Sequence, residues 1–94
     1  MQTIRVKHKV EDYDTWKNVF DNFHDTRKKG GEKSFQIWRT QSDPNDLDLQ
    51  FEWDTAENAR TFFKSQELKS TMKKAGVSEE PEIRFLTHAD KGTL

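Results

Sequence analysis

The periodicity of the apolar residues changes several times along the chain, and the order of these changes constrains the fold more than any other feature of the sequence. Four segments alternate apolar and polar residues, as half-buried strands do: residues 3–10, 34–40, 47–53 and 82–87. Two segments have helical spacing instead, one from Asp12 or Asp14 to Gly30-Gly31 and one over residues 55–75. The order β-α-β-β-α-β predicts an α+β ferredoxin-like sandwich with an antiparallel sheet of strand order 4-1-3-2.

The alternation also predicts which face of the sheet the helices cover. In the first strand Ile4, Val6 and His8 point to one side, and Arg5 and Lys7 point to the other. The same alternation places further apolar residues on the covered face: Leu49, Phe51, Ile83 and Phe85. The opposite face is expected to carry mainly charged and polar residues: Arg5, Lys7, Gln36, Asp48, Gln50, Glu52, Glu82 and Arg84. Two apolar residues, Trp38 and Leu86, are expected on the same face. Opposite charges on neighbouring strands then contribute about 0.2–1 kcal/mol per pair.

The helical regions and the hairpin carry their own boundary signals. The first helix has one stripe at helical spacing: Trp16, Val19, Phe20, Phe23 and Arg27. Asp54, with Glu57 three residues later, predicts the start of the second helix. Gln66 interrupts the apolar stripe of that helix directly after Ser65, a good N-cap, so we expect a kink or two segments meeting there. Residues 42–46, with the sequence SDPND, predict the turn of a hairpin between the second and third strands.

The chain length of 94 residues fits one domain, which we place at residues 1–88, with residues 89–94 as a flexible tail. A chain of this length buries only about 60–65% of its unfolded surface, so bulky side chains must supply the core. The sequence has 7 Phe, 3 Trp and 1 Tyr, which suit that purpose. A sheet with one open face would also gain by pairing with a second copy.

The charge balance and the cysteine count exclude several classes of function. The formal net charge of -1 lacks the basic surface of a nucleic-acid binder, and the third strand, DLDLQFEW, is acidic. Cysteine is absent, so there is no disulfide, thiolate nucleophile or cysteine metal site. No targeting segment or membrane span is apparent. We therefore expect a cytoplasmic protein that binds neither nucleic acid nor membranes.

Three strings of the sequence resemble the dimeric α/β-barrel superfamily. They are VKHKVEDYDTWKNVF (residues 6–20), FEWDTAENARTFF (residues 51–63) and SQELKSTMKKAGV (residues 65–77). The chain resembles in particular the small proteins described as antibiotic-biosynthesis-monooxygenase-like or cyclase-like. This resemblance implies a homodimer in which the sheets of two ferredoxin-like protomers pack together. It also implies two possible chemistries, cofactor-independent oxidation of aromatic quinols and haem degradation.

The haem-degrading type has an Asn on the first strand, a Trp, and a haem-ligating His in the second helical region. This chain has His8 on the first strand and no Asn there, and its second helical region contains no His. Trp53 ends the third strand rather than lying in a helix. We therefore expect no haem degradation and no cofactor, with haem binding as a weaker third alternative, and we transfer no catalytic residue from the superfamily.

His8 is the one catalytic candidate. It interrupts the apolar face of a central strand, and a histidine facing a cavity there would bind a ligand or act as a general base. The alternative is a core histidine with one ring nitrogen bonded to a neighbour.

The predicted ligand site is a small apolar cavity between the sheet and the helices. Its ligand-binding residues are expected to be one histidine and five aromatic residues: His8, Trp16, Phe20, Phe51, Trp53 and Phe63. The alternative for Trp16 and Trp53 is core packing, and the first expectation for Trp38 is a dimer contact.

The other two histidines are not expected to form a site. His24 lies near Asp21 and Asp25, but a solvated helix surface is the better interpretation of that cluster. His88 follows the last strand. We therefore expect no metal.

Two functions from different classes remain open. One is a cofactor-independent monooxygenase or cyclase-like enzyme acting on a small aromatic or quinol-type substrate. The other is a non-catalytic ligand-binding or structural dimer. A cavity large enough for a ligand beside His8 would favour the first.

Overall fold

A computed structural model describes residues 1–94 and confirms the ferredoxin-like α+β fold. The elements in chain order are β1 (Gln2–Lys9), α1 (Tyr13–Asn22), α2 (His24–Gly30), β2 (Glu32–Thr40), β3 (Asp43–Trp53), α3 (Ala56–Phe63), α4 (Gln66–Lys74) and β4 (Glu82–Leu86). The four strands form one antiparallel sheet of order β2-β3-β1-β4, which confirms the predicted strand order.

The core lies between the sheet and the helices, on the predicted face. Ile4 on β1 pairs with Phe51 on β3 and with Phe85 on β4, so one row of large side chains crosses the sheet under the helices. Thirteen buried hydrophobic residues form the core: Ile4, Val6, Val10, Trp16, Phe20, Leu47, Leu49, Phe51, Trp53, Ala59, Phe62, Leu68 and Ala75. Strict alternation on β1 and β3 therefore determines what is buried.

The first helical region consists of two helices rather than the single helix expected. Phe23 leaves helical geometry at φ -89° and ψ 6°, and its N–H donates to the carbonyls of Val19 and Phe20. No polar residue interrupts the stripe at this point, so helical spacing alone does not indicate the break. Beyond the break α2 buries Arg27, and Gly31 ends it at a positive φ of 119° as predicted.

The second helical region is divided at Ser65, as predicted. The Ser65 hydroxyl accepts a hydrogen bond from the Leu68 N–H at 3.2 Å and caps α4. The prediction of Asp54 as the cap of α3 is wrong by one residue. Thr55 is the cap and accepts from the Asn58 N–H at 3.1 Å, because the Asp54 backbone still belongs to the strand end and donates to the Gly31 carbonyl at 2.9 Å.

The hairpin between β2 and β3 is tighter than the predicted turn over residues 42–46. Only residues 41–42 form the turn, and Thr40 already pairs with Asp43. The rest of the expected turn is strand because Asn45 is held against the first strand and helix. Its carbonyl accepts from the Val10 N–H at 2.9 Å, and its side-chain oxygen accepts from the Tyr13 N–H at 3.0 Å.

The remaining boundaries shift by one or two residues. Val10 lies beyond β1 and forms an isolated bridge with Val77. Residues 87–94 contain no helix or strand and are exposed, and the flexibility of residues 89–94 stays a prediction. None of the helices is both long and apolar enough to cross a membrane.

Candidate functional site

An apolar cavity of about 60 Å³ lies between the sheet and the helices. Most of its walls are apolar side chains contributed by β1, β3, β4 and the helices. Among the lining residues only His8, Trp16, Arg27 and Thr71 have side chains with N–H or O–H groups. Of these four, only His8 and Arg27 have buried side-chain nitrogens without hydrogen-bond partners. The chemistry of the cavity therefore depends on very few polar atoms.

His8 stands on the floor of the cavity, where β1 pairs it with Leu47 of β3. Its side chain is buried, with 6% of the residue exposed, and its ring meets the edge of Trp16 at a centroid distance of 5.7 Å. Neither ring nitrogen has a hydrogen-bond partner in the chain, unlike the bonded core histidine considered from the sequence. Burial lowers the pKa of His8 to about 4, so the imidazole is neutral at pH 7. It offers one free donor and one free acceptor.

The cavity wall next to His8 is a continuous row of aromatic rings. Trp16 stacks on Phe20 at 4.9 Å, Phe20 lies 6.3 Å from Phe51, and Phe51 lies 6.0 Å from Phe63, measured between ring centroids. All four of these predicted site residues line the cavity together with His8. Their role in ligand binding stays a prediction.

Trp53, the sixth predicted site residue, does not line the cavity. It is fully buried, and its indole Nε1 donates to the Gly30 carbonyl at 2.9 Å. Its ring lies 4.9 Å from that of Phe62. Any Cβ at Gly30 would lie 3.0 Å from Phe62 and 3.4 Å from Trp53, so the indole packs closely under the end of α2. This placement corresponds to the core-packing alternative.

The second lining residue with a buried, partnerless nitrogen is Arg27, which the sequence pattern did not single out as a site residue. Its guanidinium forms a buried ion pair with Glu32, and Nη2 donates to the Phe20 carbonyl at 3.1 Å. The guanidinium carbon stands 3.7 Å from the centroid of the Phe20 ring, a close cation–π contact. Arg27 Nε and Glu32 Oε1 are buried without hydrogen-bond partners. The sequence contains one signal for this burial, since Arg27 is a charged residue at the end of the apolar stripe of the first helical region.

Burial dominates the electrostatics of this pair. It raises the pKa of Glu32 to about 7, although the positive charge of Arg27 opposes the shift. Burial also lowers the pKa of Arg27 below its usual range, and the guanidinium stays protonated at neutral pH. The ion pair formed by Arg27 of the wall and Glu32 behind it is thus nearly neutral above pH 7, and it carries a net positive charge when Glu32 is protonated.

Solved structures resemble this chain over nearly its whole length. SnoaB, a cofactor-independent oxygenase from Streptomyces nogalater, matches with a TM-score of 0.77 and 13% identity, covering 96% of this chain and 94% of that one. An antibiotic biosynthesis monooxygenase matches with a TM-score of 0.72 and 10% identity, covering 96% and 100%. A conserved protein from Methanosarcina mazei Go1 matches with a TM-score of 0.67 and 20% identity, covering 92% of each chain. No family model and no curated protein sequence matches.

The fold is that of the antibiotic biosynthesis monooxygenases. This confirms the fold that the resemblance of residues 6–20, 51–63 and 65–77 implied. At 10% to 20% identity the likeness concerns the fold, and the reaction has to be argued from the residues of this chain.

The other two histidines of the chain, His24 and His88, lie at the surface and outside the cavity. The His24 side chain is 61% exposed, and its Nδ1 lies 3.2 Å from Asp25 Oδ1, while Asp21 pairs with Lys17 at 2.6 Å. His88 lies in the exposed segment after β4. No group of three or more His, Cys, Asp or Glu side chains is arranged to hold a metal ion.

The face of the sheet away from the helices carries Trp38, which is 44% exposed. The Arg5 guanidinium carbon lies 5.6 Å from the centroid of the Trp38 ring, and Arg5 Nη2 pairs with Asp48 Oδ1 at 2.9 Å. Thr3 donates to the Glu52 carboxylate at 2.8 Å on the same face. Leu86, which pairs with Thr3, lies on this face as well. The face therefore combines two apolar side chains, Trp38 and Leu86, with paired polar groups, as the alternation predicted.

Proposed function

We propose that this protein is a cofactor-independent monooxygenase for small quinol-type aromatic compounds, with His8 as the proton acceptor. The observation that carries the proposal is the pair of free ring nitrogens of His8 on the wall of an apolar cavity. A buried polar group without a partner costs free energy, and a bound ligand hydroxyl would offset that cost. The likeness to SnoaB, a cofactor-independent oxygenase, supports the class of reaction.

In the proposed reaction the neutral His8 imidazole accepts the hydroxyl proton of the quinol. The quinolate then passes electrons to O₂, one oxygen atom enters the ring, and the other leaves as water. The overall reaction is therefore balanced, since one quinol and one O₂ give one hydroxyquinone and one water. An imidazolium is disfavoured at a site where burial lowers the pKa of His8 to about 4, so the quinolate formed beside it must stabilise the charge. The same proton acceptor would serve a cyclase-like reaction.

The direct test is oxygen consumption with methylhydroquinone, measured above the rate of uncatalysed autoxidation. We expect His8→Ala to lose at least about 100-fold in turnover, the usual contribution of a positioned general base. His24→Ala is the matched control, because His24 is exposed and outside the cavity, and it should retain the wild-type rate. An active His8→Ala protein with a wild-type circular dichroism spectrum would rule out this assignment.

The size of the cavity favours a second candidate, a non-catalytic ligand-binding or structural dimer. A cavity of about 150 Å³ accommodates benzene, and this one has about 60 Å³. Entry of a quinol ring therefore requires wall side chains to move. An amide NMR titration with pooled quinols, flavins and haem separates the two candidates: shifts at His8 and Phe63 support a ligand site, and a silent spectrum favours the non-catalytic dimer.

A homodimer through the open face of the sheet is part of the proposal. Trp38 is the large apolar residue exposed there, and the ion pair between Arg5 and Asp48 flanks it. Sedimentation equilibrium tests the dimer. The Trp38→Glu variant should sediment with the mass of a monomer. The control variant, Lys69→Glu on the exposed surface of α4, should sediment with the same mass as the wild-type dimer.

The cytoplasmic location expected from the sequence also stays a proposal. Fractionation of cells that produce the tagged chain, followed by detection of the tag in each compartment, tests it directly.

A further inference from the structure

The cavity has a second polar position besides His8. We propose that Arg27 positions the ligand by donating its Nε–H to a ligand oxygen, so that the ligand is an aromatic ring oxygenated at two separate positions. This inference rests on the proposed function, because it assumes that His8 accepts the hydroxyl of the same ligand. It adds to that function a residue that positions the substrate, and it assigns the second substrate oxygen to a contact with Arg27.

Arg27 meets the requirements of a positioning residue. It is 3% exposed, lines the cavity, and has a buried Nε without a hydrogen-bond partner. Its two terminal nitrogens are already used, Nη1 by the Glu32 carboxylate and Nη2 by the Phe20 carbonyl. These contacts fix the plane of the guanidinium, and they leave Nε as its one buried nitrogen that makes no hydrogen bond.

The two lining residues with buried, partnerless nitrogens, His8 and Arg27, are separated by aromatic rings. His8 packs on the edge of Trp16, Trp16 stacks on Phe20, and the Arg27 guanidinium lies over Phe20. Two rings thus stand between the imidazole and the guanidinium, so one ligand oxygen does not serve both groups. A flat ring that lies along this aromatic row and has oxygen at two separate positions would satisfy both.

Glu32 determines which kind of oxygen suits Arg27. The ion pair of Arg27 with Glu32 cancels most of the charge at this end of the cavity. A neutral acceptor, such as a ketone or a hydroxyl, therefore fits the site without leaving a buried excess of charge.

The test compares two phenols that are both neutral at pH 8 and differ in one carbonyl oxygen, 1-(4-hydroxyphenyl)propan-2-one and 4-propylphenol. Affinities are measured by NMR titration of labelled protein at pH 8, together with the side-chain Nε–H signal of Arg27. We expect the wild type to bind the ketone about tenfold more tightly, since hydrogen bonds to charged groups are the stronger ones, and we expect only the ketone to move the Arg27 signal.

Variants separate positioning from folding. Arg27→Met with Glu32→Gln removes both charges together and should bind the two phenols equally, whereas Glu32→Gln alone should keep the preference for the ketone. Equal wild-type affinities, or a preference that survives in the double variant, would overturn the role of Arg27 and leave the proposed function intact. If neither phenol binds the wild type, the proposed function itself fails.

Discussion

The two buried polar positions on the cavity wall respond to desolvation in opposite ways. His8 on β1 has no ionic partner, and burial lowers its pKa to about 4, so it becomes neutral by losing its proton. Arg27 on α2 keeps its charge and has Glu32 as a buried partner, whose pKa burial raises to about 7. A lone titratable group adapts by its protonation state, whereas a pair depends on both members remaining in place.

The largest effect should come from removing one member of the pair. Arg27→Met leaves the Glu32 carboxylate buried without its partner, and we expect a loss of about 3–5 kcal/mol in the free energy of unfolding at pH 8. Urea denaturation measures it.

The double variant Arg27→Met with Glu32→Gln is the control for this loss. It carries no unpaired charge and should be more stable than Arg27→Met alone. If the two variants were equally unstable, the guanidinium would act through packing on Phe20 rather than through its charge.

The next effect is a pair of opposing pH dependences. The folded-state pKa of His8 is lowered from 6.5 to about 4, so the unfolded state binds more protons and stability rises with pH across that window. The folded-state pKa of Glu32 is raised from 4.5 to about 7, so the folded state binds more protons and stability falls with pH across that window. Each effect amounts to about 3 kcal/mol, and in the wild type the two nearly cancel.

Single variants should reveal each slope. Relative to the wild type, His8→Phe should lose about 3 kcal/mol of stability from pH 4 to 6.5, because the rise due to His8 is gone. Glu32→Gln should gain a similar amount from pH 4.5 to 7. Urea denaturation at several pH values measures both, with His24→Ala, an exposed histidine, as the control. Parallel curves for all four proteins would contradict the comparison.

A smaller effect distinguishes free polar atoms from bonded ones. Replacing His8 by Phe removes two buried nitrogens without partners, and we expect the protein to become about 1–2 kcal/mol more stable at pH 7. Trp53→Phe removes a nitrogen that donates to the Gly30 carbonyl, and it should destabilise the protein instead. Thermal unfolding measures both. A destabilised His8→Phe would mean that the imidazole packs better than its missing hydrogen bonds suggest.

The sequence predicted those features that depend on local pattern. Alternation placed His8 and Phe51 on the covered face, because side chains of a strand point to opposite sides. The break at Ser65 was predictable because a polar residue and an N-cap coincide there. The break at Phe23 was not, because the apolar stripe continues through it and only backbone hydrogen bonds mark it.

Other features depend on tertiary placement and could not be derived from spacing. Arg27 and Glu32 lie on opposite sides of the turn at Gly31, so their pairing depends on how α2 ends and β2 begins. The lack of hydrogen-bond partners for the His8 nitrogens could not be predicted from the sequence either, because it depends on the positions of all the side chains that pack around the ring. Trp53 satisfied the pattern of a site residue, yet the closeness of Gly30 directs its indole away from the cavity wall.

The smallest effect concerns a second arginine–carboxylate ion pair, which is more exposed to solvent than the pair of Arg27 with Glu32. Arg5 and Asp48 pair at 2.9 Å on the open face, and their side chains are 36% and 39% exposed. In the monomer, water solvates whichever charge remains, so Arg5→Met should cost less than about 1 kcal/mol, against about 3–5 kcal/mol for Arg27→Met. Urea denaturation over a range of protein concentrations measures the cost. If a second copy covers this face, the cost of Arg5→Met will rise with protein concentration, because the dimer would bury Asp48 without its partner. A small cost at every concentration would place the open face in water and contradict the proposed dimer.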